Sequence, residues 1–70
     1  MNDEIISNEQ LIRLACSKQI KIHLILKDGT WRNGFVTEVQ GDVFMFEDTV
    51  NGVEPFFYIQ VGDVQPFVEG

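Results

Sequence analysis

Two side chains in this 70-residue chain could do proton or nucleophile chemistry, the single histidine His23 and the single cysteine Cys16. A Cys-His dyad is conceivable, but Cys16 falls in a helical segment beside apolar residues, where a thiol stays inert. Two candidate ligands are too few for a four-ligand zinc site unless carboxylates or a second chain help. No glycine-rich phosphate loop or metal-ligand spacing occurs. The expectation is a protein that is not an enzyme, with no catalytic residues, no metal, no cofactor and no small-molecule substrate.

Binding chemistry is better represented. Trp31, Arg32 and Asn33 are consecutive and follow an Asp-Gly turn signal. An indole beside a cation suits base stacking, and the Asn33 amide could read a base edge. The same Trp31 could instead fill a subunit interface or cover the end of a barrel. Glu47, Asp48 and Glu54 form an acidic loop that solvation explains, although carboxylates gathered around a ring could hold a divalent cation. All five bases, Arg13, Lys18, Lys21, Lys27 and Arg32, lie between positions 13 and 32, whereas 38–70 carries acids alone, for a formal net charge of −6. Diffuse attraction to nucleic acid is thereby excluded, since that requires a basic surface releasing counterions. A local band, repeated by copies of the chain, could still bind phosphates; the alternative is that these residues only solubilise one face.

Several short elements must position these groups. Ser7 followed by Gln10 has the capping-box spacing and predicts a helix over 8–18, with Leu11, Leu14 and Ala15 on its apolar face. Alternation over Ile20, Ile22, Leu24 and Leu26 predicts a half-buried strand. Asp28-Gly29 predicts a tight hairpin with positive φ at both central residues. A second strand, 30–39, is interrupted by Gly34, tolerable only where the backbone bends or closely approaches another strand. Further strands are expected at 43–47, 56–60 and 64–67, with turns at 40–42, 49–52 and 61–63; Pro55 suits only a strand start or an edge. One helix and five short strands predict a small antiparallel barrel in a single domain, 1–70, with 1–6 a flexible tail and 20–67 the barrel.

So small a core rarely supplies more than about 3–5 kcal/mol. With no intramolecular disulfide possible, self-association is the leading way to complete it. Phe56-Phe57-Tyr58-Ile59 is apolar on both faces, which points to a subunit interface. The longest apolar runs fall far short of the roughly 20 residues that span a bilayer. Met1-Asn2-Asp3-Glu4 lacks the basic and apolar regions of a secretory signal, so a cytoplasmic location and no membrane association are expected.

Leu26-x-Asp28-Gly29-x-x-x-x-Gly34-x-Val36 resembles the first motif of the Sm-like superfamily, which includes Sm, LSm, archaeal Sm-like and bacterial Hfq proteins. The 34–49 stretch is closest in length to Hfq, and Val61-Gly62-Asp63-Val64-Gln65-Pro66 is similar to the end of the Hfq domain. The resemblance covers 8–67. It implies a strongly bent five-stranded barrel whose fourth and fifth strands pair with neighbouring copies in a homo-oligomeric ring of six or seven, binding single-stranded RNA; the alternative is a scaffold or protein-interaction ring that has lost RNA. Where Sm and LSm proteins read uridine, this chain has Gln40, Val43 and Val61, and where Hfq lines its proximal pore it has Gly41-Asp42 and, approximately, Tyr58-Ile59. The Trp31 surface matches the adenine-binding face of Hfq. Candidate RNA-binding residues are therefore Lys27, Trp31, Arg32, Asn33, Gln40, Asp42, Tyr58 and Gln60, and candidate interface residues are Phe56, Phe57, Ile59, Val64 and Phe67.

Overall fold

A computed structural model describes residues 7–67; the tail expected at 1–6 lies outside them. Helix α1 (Asn8–Lys18) begins at the predicted cap. The Gln10 N–H donates to Ser7 Oγ at 3.2 Å and the Ser7 N–H donates to Gln10 Oε1 at 3.0 Å, so each side chain satisfies the other residue's backbone amide, which has no helical partner. The helix stops where Gln19 turns left-handed, φ 56°, and the Ile20 N–H returns to the Ala15 carbonyl. Its buried face is shifted from the expected one, with Leu11 packed against the core as predicted. Ile12 and Ala15 are buried, while Leu14 is 46% exposed, because the helix lies across β2 and β5 on the stripe that runs through Ile12.

Strands β1 (Ile22–Leu26), β2 (Trp31–Gln40), β3 (Val43–Asp48), β4 (Gly52–Phe57) and β5 (Val61–Pro66) form one antiparallel sheet in the order β4-β3-β2-β1-β5. In β1 the predicted alternation buries Ile22, Leu24 and Leu26. The β1–β2 turn differs from expectation. Only Gly29 has positive φ, at 94°; the Gly29 N–H bonds the Leu26 carbonyl and the Leu26 N–H bonds the Thr30 carbonyl. This is the three-residue hairpin loop with a left-handed glycine at its end, in place of the two-residue turn.

Two further boundaries move. β4 occupies 52–57, not 56–60, since Pro55 sits on a free edge where its missing N–H is harmless. Residues 58–60, expected as strand, form a 3₁₀ turn (Tyr58–Gln60), and 61–63, expected as turn, begins β5. The Phe57 N–H donates to Gln60 Oε1 at 2.8 Å, so a local side chain satisfies the backbone and ends the strand. That break is also why the sheet is open: β4 and β5 are its two edges and do not pair, so the expected closed barrel is a five-stranded open sheet within one chain.

Gly34 fulfils its predicted role. A Cβ there would collide with the Glu47 carbonyl oxygen and lie 3.1 Å from the Asp48 Cα, so only glycine lets β2 approach β3 this closely. Three residues further, a bulge between Val36 and Glu38 bends β2. The core beneath is centred on Ile12, Leu24, Val36, Phe44 and Phe46, all essentially inaccessible. Phe44 packs its ring 5.9 Å from Phe56 and 5.4 Å from Tyr58. Among the described residues, no helix is long and apolar enough to cross a membrane.

Candidate binding face at the start of the second strand

The β1–β2 hairpin fixes the most exposed aromatic surface. Asp28 Oδ1 accepts from the Thr30 N–H at 2.9 Å and from its hydroxyl at 2.6 Å, which orders the loop immediately before Trp31. Those bonds, the hydroxyl first, hold the Asp28 carboxyl below the ordinary aspartate range. Trp31 is 57% exposed, and its ring lies 5.4 Å from that of His23, tilted by 38°. His23 faces Asn33 across the ladder, and the two side chains hydrogen-bond through His23 Nδ1 and Asn33 Oδ1. As a lone residue of the first strand, His23 carries no binding signal in the sequence. The missed signal is its mirror position to Asn33 across the Asp-Gly turn, which puts both residues on one face of the hairpin.

Arg32 faces the other way in its chemistry. Its Nε lies 3.1 Å from Glu54 Oε1 and 3.6 Å from Asp48 Oδ2, and its Nη1 donates to the Trp31 carbonyl at 3.0 Å. A guanidinium engaged by two carboxylates is poorly placed to neutralise a phosphate. Asp48, only 8% exposed, also accepts from the Val50 N–H at 2.7 Å and from the Asn51 side-chain amide at 3.2 Å. It organises the 49–51 loop, the opposite wall to Trp31. Together Trp31, Arg32, Asn33 and residues 48–51 line a hollow of about 370 Å³. Its available chemistry is stacking on Trp31, which His23 backs, and hydrogen bonding to the Asn33 and Asn51 amides.

Asp48 also makes the site sensitive to acid. Hydrogen bonds from Asn51, its backbone N–H foremost, and from the Val50 N–H, with Arg32 nearby, hold this carboxyl below the ordinary range against the opposing effect of burial. The folded state therefore binds fewer protons here than the unfolded chain. The stability this contributes is complete above the unfolded aspartate value of roughly 3.9 and is lost as pH falls through the lower folded value. The urea midpoint should drop between about pH 5 and pH 2, and Asp48→Asn should flatten that drop. Superimposable pH profiles for the two proteins would remove Asp48 from this role.

The other candidates do not converge on this hollow. Lys27 and Gln60 border a separate one of about 260 Å³ with Ile59, and Asp42 and Tyr58 border a third, of about 320 Å³, with Glu9 and Phe57. Gln40 is exposed at the end of β2. The Tyr58 hydroxyl is buried without a hydrogen-bond partner among the described residues, and burial pushes its pKa up, although Arg13, 5.7 Å above the ring, acts in the opposite direction. Of the interface candidates, Phe56 and Val64 are buried in the core of one chain, Phe57 and Ile59 are 53% and 75% exposed, and Phe67 is half-buried with Lys21 Nζ 4.3 Å from its ring centre. Phe56 and Phe57 thus alternate between inside and outside, as a strand requires, before the 3₁₀ turn begins at Tyr58. No cluster of three or more His, Cys, Asp or Glu able to hold a metal occurs among the described residues. Comparison of the chain with protein-family models, curated proteins and solved structures finds no match.

Proposed function

We propose that this chain is a non-enzymatic, Sm-like binding module of the cytoplasm that self-associates through its sheet edges into a ring of six or seven and binds single-stranded RNA on the Trp31 face. The observation that carries the RNA reading is the exposed Trp31, set 5.4 Å from His23 at the rim of a hollow that also holds Asn33 and Asn51. Stacking tolerates any base, and amides add hydrogen bonds to base edges. The helix followed by five antiparallel strands supports the Sm-like reading. A ring would repeat a weak site in fixed geometry, so that one strand engages several copies at once.

Because Arg32 is held by Glu54 and Asp48, affinity should come from stacking more than from charge. Oligo-A and oligo-U titrations at low and physiological salt should show a shallow salt dependence. Trp31→Ala should weaken binding by roughly 5- to 150-fold, the loss expected for one base–aromatic stack of about 1–3 kcal/mol. Absence of binding to either oligomer at low salt would sink the RNA reading. The same Arg32 ion pairs favour a second reading, a scaffold ring without RNA that offers the outer face carrying Phe35, Val53 and Phe57, all exposed, to proteins.

A further inference from the structure

Strand edges normally present free N–H and C=O groups to any passing strand. Both edges here are altered. In an antiparallel ladder, successive residues point their backbone groups alternately toward the partner strand and away from it. The Tyr58 N–H donates to the Asp42 carbonyl at 3.1 Å, which fixes the alternation in β4: Phe56 and Glu54 face β3, while Phe57, Pro55 and Val53 face the open edge. Of those three, Pro55 has no N–H and the Phe57 N–H is taken by Gln60 Oε1. On the other edge, the Phe67 N–H donates to the Lys21 carbonyl at 3.3 Å, so Gln65 and Asp63 face β1 and Pro66 and Val64 face outward. Pro66 has no N–H, and the Val64 N–H is taken by Asp63 Oδ1 at 2.9 Å. The Gln65 side-chain amide steadies that carboxylate at 3.0 Å.

We infer that Gln60 and Asp63 are latches, side chains that occupy the Phe57 and Val64 edge amides in the isolated chain and swing away when a second copy adds its strand. This rests on the self-association proposed above. The occupant is argued from the edges themselves. Laying β4 of one copy antiparallel to β5 of another with Val53 opposite Pro66 puts Pro55 opposite Val64 and Phe57 opposite Gly62. Neither proline then faces the other, the Val53 N–H meets the Pro66 carbonyl, and the Val64 N–H, once released, meets the Pro55 carbonyl. Each latch makes the free chain less ready to pair, which blunts indiscriminate edge-to-edge contact and leaves pairing to a partner whose acceptors lie in this register.

The test compares the wild-type chain with Gln60→Ala, Asp63→Ala, the double alanine variant and Asp63→Asn, which keeps an acceptor oxygen while removing the charge. Native mass spectrometry and sedimentation across a concentration series read the assembly midpoint, and amide hydrogen exchange in dilute protein reads the Phe57 and Val64 N–H groups. The expected result is faster exchange at the unlatched amide and an assembly midpoint lowered about two- to tenfold per released latch. Asp63→Asn should stay close to wild type in both readouts. A wild type that assembles, with alanine midpoints unchanged or raised, overturns the latches and leaves self-association standing. A wild type and a double variant that are both monomeric at every concentration reached overturn both.

Discussion

Gly34→Ala is expected to unfold most of the chain at 25 °C. The added methyl would meet the Glu47 carbonyl oxygen and the Asp48 Cα, both backbone. Neither can turn aside as a side chain would, so β2 and β3 must separate over the stretch where Gly34 pairs with Asp48 and Phe35 with Glu47. That stretch carries the Asp48 end of the binding hollow and adjoins Phe46, which is 1% exposed. Backbone displacement beneath a packed aromatic core should cost about 3 kcal/mol or more, above the usual range for overpacking because nothing nearby can yield cheaply. A domain of this size has about 3–5 kcal/mol to lose. Far-UV circular dichroism and urea denaturation should show loss of most cooperative structure in the variant. A melting temperature within a few degrees of wild type would mean that the two strands tolerate more separation than the Gly34 approach implies.

Phe44→Ala is expected to cost about 3–5 kcal/mol, the range for deleting a fully enclosed aromatic ring. Phe44 has no accessible surface and touches two elements at once, Phe56 on β4 and Tyr58 in the 3₁₀ turn. Its loss therefore leaves a cavity that no single side chain can fill, and it unseats the turn that presents Gln60. Phe44→Leu retains part of the volume and should cost about 1–2 kcal/mol, separating lost packing from global failure. Urea midpoints measure Phe44→Leu, with an unchanged slope indicating that the unfolded reference is the same, and far-UV circular dichroism reads Phe44→Ala, whose cost approaches the whole stability of the domain. A cost below about 1 kcal/mol for Phe44→Ala would show that the core collapses around the gap more readily than its rigid aromatic neighbours suggest.

The elements read most accurately from sequence are those whose signals are local and chemically specific. Ser7 and Gln10 mark the helix start because the capping bonds join residues three apart, and Gly34 marks a close approach because few other pressures place glycine inside a strand. The misread parts depend on distant partners. Ile12 replaces Leu14 on the buried helix face because the helix is rotated by what it packs against, β2 and β5, and several rotations suit an amphipathic segment with this many apolar residues. Pro55 obscured the extent of β4 because its effect on a strand depends on whether the strand lies at an edge. The 3₁₀ turn depended on a bond from the Phe57 N–H to the Gln60 side chain, a choice that composition does not signal. At the candidate site, Trp31 and Asn33 were legible as neighbours in sequence, whereas His23 and Asn51 join them only through the hairpin and the β3–β4 loop. Arg32 stands next to Trp31 in sequence like a phosphate ligand, and its ion pairs with Glu54 and Asp48 were not legible there because both carboxylates lie on other strands.

The strand order has a consequence in time. β1 to β4 are successive hairpins, each pairing with the strand just made, whereas β5 must return across the whole sheet to set Pro66 beside Ile22 and Val64 beside Leu24. Contacts between residues so distant in sequence must overcome loop-closure entropy before they stabilise anything. β5 is therefore expected to dock last, with the outer side of β1 vacant until it does. A second chain with its own β5 free would fit that vacancy, so exchange of this one strand between copies is the expected side product of incomplete folding.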